Sequence, residues 1–427
     1  MKKKNIFIRF AGCLLFAIFF QACSKNFSLS PNAPLGAPAD TFTPTGTVGT
    51  MFLTSTVPTA TNSQTPVISL TCTLTPSSPV YSPTPQITST STATFTTTST
   101  LTFTPVSTPT FTPTYGHYSW AKAAASSPMG ARMFAGNLVY NGKMWIVAGG
   151  SPCVVEGWFK SDVWSSTEGA SWTRATGTAA FGVREAAGCV VFNNKMWLIG
   201  GDNGYSCFND VWSSTDGANW TSVLSNAPFS ARSSFGCVVF NNKIWVIGGD
   251  QVDGQNPQAD IWCSSDGVNW NLAGNLPDSR GEFGCVVYNG SIWIIAGHDY
   301  GYLLNDVWSS ADGINWNEIT AGAPFGDRTW AATTVFNGSI WVVGGANSNA
   351  WNYISSTYTD AWSSYDGVNW TQPPTSTPFY PRFGAESLVY NNELWMIGGA
   401  WFANPSQVWN GVGVSGALYL KDIWHTQ

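Results

Sequence analysis

Arg232-Ser233-Ser234-Phe235-Gly236-Cys237-Val238-Val239-Phe240-Asn241-Asn242-Lys243-Ile244-Trp245-Val246-Ile247-Gly248-Gly249 is followed, ten residues later, by Asp260-Ile261-Trp262-Cys263-Ser264-Ser265-Asp266-Gly267-Val268-Asn269-Trp270. An arginine precedes a short apolar strand, Gly236–Phe240. Asn241-Asn242 then makes a two-residue hairpin turn, because both residues tolerate positive φ. The chain returns along Lys243–Ile247 and stops at paired glycines. A third strand follows the next loop, and Asp266-Gly267 turns it into a fourth that begins after Trp270.

The same order recurs about every 48 residues, a signature of stacked supersecondary units. The arginines are Arg132, Arg184, Arg232, Arg280, Arg328 and Arg382. The second-strand tryptophans are Trp145, Trp197, Trp245, Trp293, Trp341 and Trp395, and the third-strand ones Trp164, Trp212, Trp262, Trp308, Trp362 and Trp424. The hairpin pairs Asn141-Gly142, Asn193-Asn194, Asn289-Gly290, Asn337-Gly338 and Asn391-Asn392 fall at the equivalent turn. A four-stranded unit has two apolar faces, so each must pack against a neighbour on either side, and closing a ring leaves no face unpaired. Fourth-strand tryptophans number only five: Trp172, Trp220, Trp270, Trp316 and Trp370. The sixth repeat ends at Trp424-His425-Thr426-Gln427 with no fourth strand of its own. Tyr118-Ser119-Trp120-Ala121 is therefore predicted to supply that strand and latch the ring.

Paired glycines, an aromatic in strand three and a Trp before strand four resemble the kelch family over residues 118–427. The resemblance implies an all-β, six-bladed kelch-type β-propeller occupying 115–427. Two departures are Trp for the usual Tyr in strand three, and the turn Ser213-Ser214-Thr215-Asp216-Gly217-Ala218-Asn219-Trp220. That turn looks like a degenerate Asp-box of sialidase-type propellers, with Thr215 where the first Asp would be.

In an up-and-down blade the 1–2 and 3–4 turns share one face, and here they are short and stereotyped. The 2–3 and 4–1 loops share the other face and carry the variation, which is where binding usually resides. Of 23 tryptophans, the five outside the repeat positions (Trp158, Trp330, Trp351, Trp401 and Trp409) all fall on this face, with Tyr205, Phe208, Tyr300, Tyr302, Tyr353 and Phe402. Flat aromatics among Asn and Asp suit a glycan or a protein partner. The six arginines enter the innermost strands and are expected at the channel mouth on this face. They read either as a ring for carboxylate, sulfate or phosphate or as structural clips to Asp162, Asp210, Asp260, Asp306, Asp360 and Asp422.

The N-terminus has a different character. Lys2, Lys3, Lys4 and Arg9 precede the apolar run Phe10–Phe20, too short to span a bilayer, and Ala22-Cys23 follows. Residues 1–23 resemble a lipoprotein signal with Cys23 as the lipidation site, which implies an exported, outer-membrane-anchored chain. Residues 24–114 run in Thr, Ser and Pro with almost no charge, and are expected to form a disordered tether. Cys153 and Cys207 share one loop position and form the only plausible disulfide pair. Cys189, Cys237 and Cys285 occupy one equivalent position in consecutive repeats, too far apart to bridge.

Charged residues are 10% of the 427 and the formal net charge is −6, which gives nucleic acid no electrostatic purchase. With no paired-cysteine motif and three scattered histidines, His117, His298 and His425, no zinc or copper cofactor is expected. The leading expectation is a monomeric, non-catalytic binding module. The alternatives are an isomerase or hydrolase of acidic sugars, with Glu185 or Glu282 as acid/base beside an arginine, and a structural envelope module.

Overall fold

The computed structural model describes residues 41–42, 51–52, 118–151, 158–252, 255–349, 353–373, 377–402 and 417–427. The chain divides into two compact units, Met1–Thr112 and Pro113–Gln427. In the first, Thr41–Phe42 pairs antiparallel with Met51–Phe52. The export signal, Cys23 and the rest of the Thr/Ser/Pro segment lie outside the described residues.

The second unit is a six-bladed β-propeller, with no helix among the described residues. Blade 3 shows the pattern: Gly236–Phe240, Lys243–Ile247, Asp260–Ser264 and Asn271–Asn275, consecutive and antiparallel. Blades 1, 2, 4, 5 and 6 begin at Gly136, Gly188, Gly284, Ala332 and Glu386. All twelve residues of the 1–2 turns have φ between 45° and 70°, the left-handed geometry that matches the strand twist. In blade 5 the fourth position is reduced to a single bridge, Ser363 to Thr371. Three 2–3 loops form small hairpins of their own, such as Asp250–Val252 with Gln255–Pro257, and in blade 4 the two strands extend directly to Asp299 and Tyr302.

Closure follows the sequence expectation. Trp120–Ala124 pairs antiparallel with Ile423–Thr426 as the outer strand of blade 6. The Trp120 ring stands edge-on to Phe379 at 5.1 Å and packs on a cluster holding Trp341 and Trp424.

The second-strand tryptophans bind one blade to the next. Each donates its Nε1–H to the carbonyl ending its own first strand, at 2.9–3.2 Å. The rings of Trp395, Trp145, Trp197, Trp245 and Trp293 lie beneath the 3–4 turn of the following blade, where a Cβ added at Gly169, Gly217, Gly267, Gly313 or Gly367 would overlap them. These glycines have φ of 74–80°, so the turn and the packing demand the same residue.

At the inner strands the seam between blades 6 and 1 differs from four of the others. Gly136, Gly188, Gly236 and Gly284 each face the side chain of the next blade, Cys189, Cys237, Cys285 and Thr333. Blade 6 has Glu386 there, and its Oε2 accepts from Asn137 Nδ2 of blade 1 at 2.7 Å. Burial pushes the Glu386 carboxyl up to about 8, against the lowering effects of Asn137, the Ala135 backbone and Arg132. Cys189, Cys237 and Cys285 form no disulfide.

Two outcomes follow from the closure and the seam. Trp120→Ala removes the latch contact and is expected to cost about 2–3 kcal/mol, read as a fall of several degrees in the thermal midpoint. Glu386 has a folded pKa above its unfolded value, so its burden is absent below pH 4.5 and grows as pH rises towards about 8. Glu386→Gln should therefore match the wild type in stability at pH 4 and exceed it at pH 8–9. A stability difference independent of pH would contradict this assignment.

Candidate functional site

The loop face begins at the arginines. All six are buried, 0–4% exposed. Each Nη1 lies 2.6–3.1 Å from one oxygen of the aspartate that opens the third strand: Asp162, Asp210, Asp260, Asp306, Asp360 or Asp422. Nη2 reaches the second oxygen at 2.7–3.3 Å. Nη1 also donates to the carbonyl at the end of the second strand, at 2.8–2.9 Å. The third-strand Trp donates Nε1–H to the same carboxylate at 2.7 Å in every blade. At Asp260 burial alone would raise the pKa, yet the hydrogen bond and charge of Arg232 outweigh it and the carboxyl is lowered. Of the two readings open for the arginines, the geometry is that of the clip. Both terminal nitrogens of each guanidinium are paired inside its blade and withdrawn from solvent, which favours the clip over the ligand-binding assignment of Arg132, Arg184, Arg232, Arg280, Arg328 and Arg382.

The clip delivers the next two residues to the axis. The second residue after each arginine donates its backbone N–H to the carbonyl of the equivalent residue one blade back: Phe134 to Gly384, Ala186 to Phe134, Ser234 to Ala186, Glu282 to Ser234, Trp330 to Glu282 and Gly384 to Trp330. These six bonds, 2.8–3.1 Å long, form a closed circle around the channel. All six residues have φ of 50–59°, although only Gly384 is glycine, a conformation that costs an L-residue roughly 1–2 kcal/mol.

Identical backbones carry very different side chains. Gly384 leaves room for Phe134 and Trp330 to meet across blade 6 with centroids 5.5 Å apart, and both pack on Phe383. Beside this wall Tyr380 stacks on Trp401, 4.9 Å apart and 12° from parallel, with Tyr380 58% exposed. Blades 3 and 4 carry a polar cluster instead. His298 Nε2 is 3.3 Å from Asp250 Oδ1, 3.4 Å from Oδ2, and 3.8 Å from Glu282 Oε2. Asp250 and His298 are buried and Glu282 is half-buried. Burial raises both carboxyl pKa values; burial lowers that of His298, but Glu282 and Asp250 together carry it above the ordinary histidine range. Glu185 and Asp202 bridge through their backbones in blade 2 and continue the acidic arc.

Of the candidate tryptophans, Trp330 stands at the axis, Trp401 in the Tyr380 stack, and Trp158 is half-buried in the blade 1 loop. Trp351, Trp409, Cys23, His117 and Cys153 lie outside the described residues, and with Cys153 the Cys153–Cys207 pair. His425 stacks on Trp395 away from the mouth. Sequence reasoning missed Asp250, Phe134 and Phe383, and discounted His298. A signal existed: Asp202, Asp250 and His298 fall at one position of consecutive repeats, 48 residues apart.

The comparisons agree with this architecture. The Kelch motif family matches residues 184–213 and 231–263. The solved structure of YjhT superposes with a TM-score of 0.55, at 17% identity, over 70% of this chain and 96% of that one, a likeness of fold alone. No curated protein matches the chain. Fold and repeats thus define a closed six-bladed β-propeller. Its repeats are of the kelch type.

If the arginines are clips, Asp260→Asn strands a buried guanidinium and should cost about 3–5 kcal/mol, seen as an earlier midpoint in urea unfolding. An unchanged midpoint would sink the clip.

Proposed function

We propose that this protein is a non-catalytic binding module that takes a neutral or amino-substituted glycan at the channel mouth, on an exported and lipid-anchored chain. The observation that carries the reading is the pairing of an aromatic wall, Phe134, Trp330 and the Tyr380–Trp401 stack, with a carboxylate-bearing arc at one axial opening. A pyranose offers an apolar face for stacking and hydroxyls for carboxylates, and aromatic side chains supply large contact area at small entropic cost. Four of the most exposed large side chains, Tyr205, Tyr300, Tyr302 and Tyr380, lie on this face. With every repeat arginine paired, the charges left at the mouth are mainly acidic, which favours neutral or basic ligands over anionic ones. A mouth of this composition also supports a protein partner less well, since its aromatic patch is edged by buried charge.

A second reading, an isomerase of acidic sugars, draws on the two carboxylates facing one imidazole. It lacks a free cation beside them among the described arginines of the repeats.

A glycan array probed with the full chain should give binders among neutral or amino sugars. Trp330→Ala and Tyr380→Ala should each weaken the best of them by about tenfold or more. Binding restricted to sialylated or sulfated glycans, or untouched by both substitutions, would overturn the proposal. For the isomerase, NMR exchange of sialic-acid anomers at the uncatalysed rate removes that reading.

A further inference from the structure

The cluster at the junction of blades 3 and 4 has features that glycan docking does not use. Asp250 comes from the first residue after the paired glycines of blade 3, and His298 from the same position of blade 4. Glu282 is contributed by the hydrogen-bonded circle at the axis. One oxygen from each carboxylate and one imidazole nitrogen lie within 4.8 Å of one another. The closest approaches are 3.3 Å from Asp250 to His298 and 3.8 Å from Glu282 to His298. Three donors held about 2.0–2.2 Å from one divalent ion sit roughly 3.0–3.6 Å apart in tetrahedral or octahedral geometry. The cluster is therefore near the size such an ion sets.

Asp250 supplies an independent observation. It is 1% exposed, and its Oδ1 accepts no hydrogen bond. Its two oxygens stand almost equidistant from His298 Nε2, so the carboxylate straddles the nitrogen instead of receiving a directed N–H. Gly281 is part of the same fit: a Cβ there would overlap the Asp250 carboxylate. With both acids ionised, the group is short of positive charge even when His298 is protonated, a deficit that a divalent ion would meet. Its donors are one nitrogen and two carboxylates, a set that suits zinc or manganese better than calcium or magnesium. Glu282 comes from the circle at the axis and its side chain keeps about 10% of its surface exposed, so the cluster is approached from the mouth side.

We propose that Asp250, Glu282 and His298 form a divalent-cation site, taking Zn²⁺ or Mn²⁺, with its open positions turned towards the channel mouth. The site is independent of which ligand the mouth accepts, and its test contains no glycan, so its failure leaves the binding reading standing.

The test titrates untagged full-length chain, stripped with chelator, with ZnCl2 and MnCl2 by calorimetry. Wild type is expected to bind one ion and to gain several degrees in thermal midpoint. Glu282→Gln and His298→Gln, each checked for folding in chelator, should bind at least tenfold more weakly and lose that gain. Crystals soaked in zinc supply a readout that no variant can confound: an anomalous peak between the three side chains, about 2.0–2.2 Å from each donor. Absence of that peak, or affinity that both variants leave unchanged, overturns the proposal.

Discussion

A guanidinium removed from water costs several kcal/mol unless its donors are met. Here the cost is offset six times in the same way. The aspartate takes both terminal nitrogens, the end of the second strand takes one again, and the third-strand indole satisfies the carboxylate from its other side. Four segments of a blade meet at this point: the return loop, the ends of strands two and three, and the indole that packs towards the neighbouring blade. The unit sets where the return loop turns, and so where the residues after the arginine reach the axis. A charge at a loop face, repeated in every blade, is for that reason withdrawn from ligands.

What the clip fixes in backbone it leaves free in side chain. The circle of six hydrogen bonds needs only an N–H and a carbonyl at each position, and it holds five non-glycine residues in a conformation they would otherwise avoid. Phe134, Ala186, Ser234, Glu282, Trp330 and Gly384 share one geometry and no common chemistry. Close to the axis polarity is sorted by blade: the rings of Phe134, Trp330 and Phe383 gather over blades 5, 6 and 1, and the carboxylates with the imidazole over blades 3 and 4. A symmetric scaffold thereby presents an asymmetric mouth, as a site needs for binding one ligand in one orientation.

Much of this was legible in the sequence, for reasons that are local. The Asn-Asn and Asn-Gly turns announce themselves because positive φ restricts residue choice, and the tryptophans because a large ring occupies one place in each blade. The closing strand was legible by subtraction, since five fourth-strand tryptophans require a sixth. The arginines were only half legible: the residue carries the same charge whether it faces a ligand or an aspartate 26 to 40 residues away. The Asp250–Glu282–His298 cluster was not read, because its members come from two repeats. Their meeting depends on the left-handed conformation of Glu282 itself, a residue type that does not announce it. The glycines of the 3–4 turns were read as turn residues, and their second task, lying over the preceding blade's tryptophan, needed the packing.

Closure places a demand that the repeat itself cannot meet. Five of the second-strand tryptophans are covered by the 3–4 turn of the next blade, but blade 6 has no such turn, because its fourth strand arrives from the N-terminal side. Trp341 of blade 5 would then be left uncovered. Tyr118, two residues before the closing strand, fills the place, with its ring edge-on to Trp341 at 5.8 Å and tilted against Phe336 at 5.3 Å. The segment that supplies the missing strand thus also supplies the missing cover, and the two contacts reinforce each other across blades 5 and 6. On the other side of blade 6, Glu386 and Asn137 replace the glycine-to-cysteine contact found at the first three junctions. A polar pair of defined length and direction there distinguishes blade 1 from every other blade as the partner of blade 6. The ring therefore carries, in the residues that depart from its own repeat, the information about where it should close.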